Sequence, residues 1–221
     1  MTLTIVAATG GIGGQLLQQA VDAGHSVTAL VRNPNALARN VRTFVTDLAN
    51  PDPPILQSAI AGADAVLSGL GARPGGDDDV AYRGTRAIVQ AMRVVGARRI
   101  VVVSAAPIGT VPSPGRPNPP RHDPGDGFFM RHLFAPLIKR ALRARYADLA
   151  RMEDILRESG SEWTIVRPPR LTNGRLTRRY RVAIGRNLRR GFLVSRADVA
   201  DFMLRALADP TTVHETIGIA D

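Results

Sequence analysis

Residues Thr2–Pro34 read TLTIVAATGGIGGQLLQQAVDAGHSVTALVRNP. An apolar run over 2–6 stops at the glycines Gly10, Gly11, Gly13 and Gly14, a helical pattern runs from Ile12 to Ala23, and a second apolar run ends on Arg32. Strand, glycine turn, helix and strand in that order, within about thirty residues, is the pattern of a dinucleotide-binding βαβ unit. The physical reason lies at the junction. The first amides of a helix have no partner inside it, so they hold a pyrophosphate, and glycine lets the phosphates come close to the backbone.

The end of the second strand selects the dinucleotide. An acid there bonds the ribose 2′-hydroxyl of NAD and repels a 2′-phosphate, whereas an arginine attracts that phosphate. The chain has Arg32 in this position, with Asn33 as a helper and Arg39 as a weaker one, so the sequence points to NADP as cofactor.

Further apolar runs occur as VRTFV, DAVLSGL, RRIVVVSAA and WTIVRP, separated by helix-period segments. Short apolar runs alternating with helices predict a parallel sheet covered on both faces, here a single-domain Rossmann-like, doubly wound α/β fold over residues 1–221. Helices are expected over 12–23, 80–95, 196–208 and one or two within 128–159. Asp77, Asp78 and Asp79 place negative charge at the start of the second, and Ser195 is a fitting N-cap for the last. Residues 106–127, dense in proline and glycine, follow the fifth strand and cannot form a regular element; a loop there lies over the ligand crevice, so it is read as a lid.

Composition narrows the function classes. No run approaches the roughly 18 apolar residues that span a bilayer, and no leader pattern opens the chain, which reads as cytoplasmic. The absence of cysteine excludes disulfides and thiolate nucleophiles. A formal charge of +10 suggests polyanions, but Lys139 is the only lysine, leaving 28 arginines among 29 basic residues (29 − 1). Many of these fall on helix faces, which argues against nucleic acid and for a small, anionic substrate. His122, Asp123, Asp126 and His132 have no metal-binding spacing, so no metal is expected.

The segments AATGGIG, LVRNP, VTDL, LGAR, VVVSAA, ILRESGSEWTIVRPPR and SRADVADFMLRAL occur in the order seen in atypical short-chain dehydrogenase/reductase proteins. Over nearly its whole length the chain resembles the biliverdin-IXβ and flavin reductase family of that group. It departs at Ala7, where the family's turn usually begins with glycine. The resemblance implies that Thr9, Gly10, Ile12 and Gly13 line the pyrophosphate and Arg32 the 2′-phosphate. It places Asp47 and Leu48 beside the adenine, and Leu70, Gly71 and Arg73 along the phosphates and ribose. Ser104, Pro168 and Pro169 fall near the nicotinamide.

Ordinary short-chain dehydrogenases protonate a carbonyl with a tyrosine whose pKa is lowered by a lysine four residues on. That pair is absent: Ala135 precedes Lys139 by four, and Tyr82, Tyr146 and Tyr180 are followed at that spacing by Arg86, Ala150 and Ile184. Two functions remain open. One is hydride transfer to a flavin-like or otherwise conjugated acceptor protonated from water, as in the flavin reductases; the other is non-catalytic sensing of NADP(H). Candidate catalytic residues are Ser104 at a strand end, Arg170 for an anionic substrate, and Tyr146, one residue out of the standard register and so turned about 100° around its helix.

Overall fold

A computed structural model describes residues 1–71, 79–125 and 142–221. The first unit forms as the sequence predicts: β1 (Thr2–Val6), α1 (Gly11–Asp22) and β2 (Ser26–Val31). There follow β3 (Arg42–Val45), α2 (Pro53–Ile60), β4 (Ala65–Ser68), α3 (Val80–Val95), β5 (Arg99–Val103), α4 (Arg143–Glu158) and β6 (Glu162–Arg167). The last part contains β7 (Arg170–Thr172), β8 (Arg181–Ile184), β9 (Leu193–Ser195), α5 (Arg196–Arg205) and β10 (Glu215–Ala220).

The main sheet has the order β3-β2-β1-β4-β5-β6-β10-β8, parallel except where β8 runs against β10. Its inner strands are buried on both faces, which is why they read as continuous apolar runs, whereas the edge strands β3 and β8 are partly or largely exposed. Leu3, Ile5, Ala29, Val31, Leu67 and Val101 face α1 and α5; Val6, Leu30, Val66, Ile100 and Val102 face α2, α3 and α4. The chain reverses its direction across the sheet between β1 and β4, where Val6 pairs with Ser68, and this switch point opens the ligand crevice. No described helix is long and apolar enough to cross a membrane.

Several expectations are corrected. The Ala106–Thr110 part of the presumed irregular loop is a short 3-10 helix, because Ile108 supplies an apolar side chain that is fully buried. Residues Asp126 and Gly127 of that loop, and the first part of the helical segment expected from 128, lie outside the described residues. Asp79 stands immediately before α3, at φ +75°, while Asp77 and Asp78 lie outside the described residues; the side chain that accepts the first amides, those of Ala81 and Tyr82 at 3.0 and 2.8 Å, is Asp148 of α4. Burial pushes the Asp148 carboxyl up, while these two amides oppose that shift. The last helix ends at Arg205 rather than 208, and the small parallel pair β7-β9 was not legible at all.

Ala7 opens the glycine turn at φ +56°, in the left-handed region. An L-residue there costs about 1–2 kcal/mol, a cost glycine avoids. Ala7→Gly is therefore expected to stabilise the protein by about 1 kcal/mol, raising the thermal midpoint by roughly 2–4 °C for a chain of this size. An unchanged or lowered midpoint in a calorimetric scan would show that the methyl group's packing outweighs the backbone strain.

Candidate functional site

The crevice is built from the ends of β1, β4, β5 and β6. After β1 the turn closes through the Gly10 amide, which donates to the Ala7 carbonyl at 2.8 Å, and Gly10 then caps α1 in extended conformation without a side-chain bond. The first-turn amides of α1 are thus left for a ligand. Gly13 is buried, and a Cβ there would lie 2.1 Å from the Ala7 carbonyl oxygen; a Cβ on Gly69, after β4, would also collide with backbone, 2.7 Å from the Gly13 nitrogen. Here glycine joins helix to strand, a different task from making room for phosphate.

Arg32 is exposed immediately after β2 and has no described partner. Its two expected helpers are occupied: the Asn33 side chain accepts the Asn35 amide, and Arg39 ion-pairs with Asp22 at 2.7 Å and bonds Gln18. Asp47 is exposed, whereas Leu48 and Leu70 are buried and pack against Gly84 of α3. A Cβ on Gly71 would meet nothing within 4 Å among the described residues, and Arg73 lies outside them. The Pro168 carbonyl accepts the Ala106 amide at 2.9 Å, tying the loop after β5 to the end of β6 beside Pro169.

Ser104 is nearly buried, and its hydroxyl donates to Glu153 Oε1 at 2.7 Å. Sequence reasoning missed Glu153, although an acid on the inner face of a helix, between Met152 and Leu156, is the signal that marks it. The carboxylate is fully buried and receives Arg167 Nε at 2.8 Å and Arg157 Nη2 at 2.6 Å, with a second bond from Arg167 Nη2. Burial pushes its pKa up, but Arg167, Arg157 and the Ser104 hydroxyl outweigh that and hold it below the ordinary range. Glu153 is therefore ionised at neutral pH. The single proton of Ser104 is committed to it, so toward the crevice Ser104 accepts hydrogen bonds and does not donate.

Tyr146 is seven residues before Glu153 on α4, about 10 Å along the axis, and packs against Ile108 and Ala150. Burial raises its pKa, so it is a weaker acid than a free phenol. The α4 residue that meets Ser104 is the glutamate, not the tyrosine. Arg170 is exposed at the start of β7, where its amide donates to the Phe192 carbonyl at 3.3 Å, and the ring of Phe192, just before β9, is 56% exposed. Among the described residues no group of three or more histidine, aspartate or glutamate side chains is gathered for a metal.

The described part of the presumed lid is fastened down. Asp154 accepts the Ser113 hydroxyl and the Gly115 amide, each at 3.0 Å. Buried Asp123 accepts the amides of Gly125 and Asn187, both at 2.8 Å.

A doubly wound sheet with an amide-lined glycine turn at its switch point is the architecture of a dinucleotide-binding protein. The chain belongs to the NAD(P)H-binding family, whose sequence profile matches residues 7–210. It is 27% identical over 229 residues to the uncharacterized sugar epimerase YhfK of Bacillus subtilis, covering 100% of this chain and 94% of that protein. Two solved structures share the fold over 100% of this chain. One, from Streptococcus pneumoniae and described provisionally as an NADH-flavin reductase, has TM-score 0.76, 22% identity and 99% of its own chain covered. The other, a wide-type short-chain dehydrogenase/reductase from Veillonella parvula in complex with NADP, has TM-score 0.74, 21% identity and 94% covered.

Proposed function

We propose that the protein is an NADPH-dependent reductase that passes hydride to a conjugated, flavin-like small molecule and leaves protonation to water. The observation that carries this reading is the commitment of the Ser104 proton to ionised Glu153. With Ser104 restricted to accepting, and no tyrosine and lysine pair in the sequence, this wall of the crevice orients an amide or hydroxyl but supplies no acid. A conjugated acceptor suits such a site: it takes the hydride at one atom and a solvent proton at another, and the protein need only align the two molecules. Bound NADPH supplies the hydride. Arg32 holds its 2′-phosphate, the first-turn amides of α1 its pyrophosphate, and Ser104 accepts from the nicotinamide amide. Arg170 receives the acceptor's anionic group, and the described part of the loop after β5, residues 106–125, covers it. The Streptococcus protein's description supports a flavin-like acceptor although it names NADH, and the Veillonella protein's complex supports NADP.

NADPH oxidation against a panel of flavins, quinones and biliverdin tests the proposal. Turnover with at least one conjugated acceptor is expected. Calorimetry should show NADPH preferred over NADH by at least tenfold, about 1.4 kcal/mol, and Arg32→Asp should narrow or invert that preference. Intact NADPH binding with no turnover would overturn the reductase in favour of an NADP(H) sensor. Equal affinities in the unaltered protein would defeat the assignment of Arg32.

A further inference from the structure

We infer that Arg196, the first residue of α5, is a ligand of the dinucleotide's pyrophosphate. This rests on the glycine turn being the cofactor site. The Arg196 side chain lies across the start of α1: a Cβ built on Gly11 would stand 2.6 Å from Arg196 Nε and 2.7 Å from its Cδ. Gly11 does not have a positive φ, so its backbone does not demand glycine. What glycine provides there is room for the arginine stem.

The placement is electrostatically adverse without an anion. The guanidinium sits at the N-terminal ends of both α1 and α5, where helix dipoles repel a cation. Its described partner is neutral, the Asn173 side-chain oxygen, 2.7 Å from Nη1. The nearest acid in sequence, Asp198, is taken by the hydroxyls of Ser195 and Thr177 and by the amides of Thr177 and Arg178. Other arginines on α5 and the segment beside it do find acids: Arg178 and Arg205 both pair with Asp201, at 3.0 Å. Among the described residues Arg196 alone of these three is held in position by an amide with no acid paired to it, beside the turn that presents the α1 amides. A bound pyrophosphate turns that repulsion into attraction, with Arg196 closing on it from the α5 side and Asn173 fixing the planar fork.

Calorimetric titration of NADPH and NADH into the unaltered protein and into Arg196→Met, which keeps the stem over Gly11 and removes the charge, tests this. Both cofactors share the pyrophosphate, so both should weaken by the same factor, about ten- to a hundredfold, with the ratio between them unchanged. Asn173→Ala, which frees the guanidinium without removing it, should weaken both severalfold and serves as the second variant should Arg196→Met fail to fold. Unchanged affinities in the folded variants would overturn the inference. A loss confined to NADPH would also overturn it, moving Arg196 to the 2′-phosphate. If the unaltered protein bound neither cofactor, the cofactor-site reading itself would fall, and the inference with it.

Discussion

Gly13→Val is expected to destabilise the protein by about 3 kcal/mol or more and to remove dinucleotide binding along with the fold around it. The reason is a collision with backbone. Even the Cβ of alanine would approach the Ala7 carbonyl oxygen to 2.1 Å and its carbon to 2.7 Å, and neither atom can rotate away as a side chain could. Relief requires α1 to move off β1. That movement would break the turn closed by the Gly10 amide and open the contact with Gly69 at the end of β4. Gly10 provides an internal control, because a Cβ there meets the same oxygen at 3.1 Å, a distance that a shift of a few tenths of an ångström relieves. Gly10→Ala should therefore stay folded where Gly13→Ala does not. Urea unfolding followed by circular dichroism checks both, and a wild-type midpoint for Gly13→Val would show that the helix is not held where the crevice needs it.

The contrast between the two glycines marks how far the sequence could be read. Its alternation of apolar runs and helical periods made the doubly wound sheet legible, because strands buried on both faces leave a run that is hard to mistake. The place of the glycine turn between β1 and α1, and of Arg32 directly after β2, was legible for a similar reason: both are fixed by local order along the chain. That Gly13 meets the Ala7 carbonyl, and that Gly11 leaves room for Arg196, depends on which surfaces the fold brings together, and no local pattern carries that. The same limit hid the capping of α3 by Asp148, which reaches its first amides from α4. It also hid the pair β7-β9, whose strands of three residues each are too short to show a period. Tyr146 drew attention because it lay near a known register, while Glu153, two helical turns on, makes the contact with Ser104.

Glu153 is the residue whose loss should be felt both in stability and in the site. Arg116, Arg157 and Arg167 interact with Glu153 and Asp154, so three cations share two acids beside Ser104. Glu153→Gln keeps the volume but removes one of the two negative charges and leaves buried Arg167 without its counter-ion. Removing one partner of a buried pair typically costs about 3–5 kcal/mol, and the bonds from Ser104 and Arg157 are weakened in the same step. The pH dependence follows from the lowered pKa of the folded carboxyl. The unfolded chain binds this proton more readily than the folded one, so the stabilisation is complete above the ordinary glutamate range and is lost as pH falls through the folded value. Urea midpoints should accordingly decline on acidification in the unaltered protein, and Glu153→Gln should be less stable at neutral pH with a flatter decline. The same substitution frees the Ser104 hydroxyl from an anionic acceptor and lets it donate into the crevice, so any NADPH oxidation that survives should carry an altered pH profile. A Glu153→Gln protein with unaltered stability at pH 7 and an unaltered acid limb would show that Arg167 finds its compensation elsewhere, and the case for Ser104 as a pure acceptor would go with it.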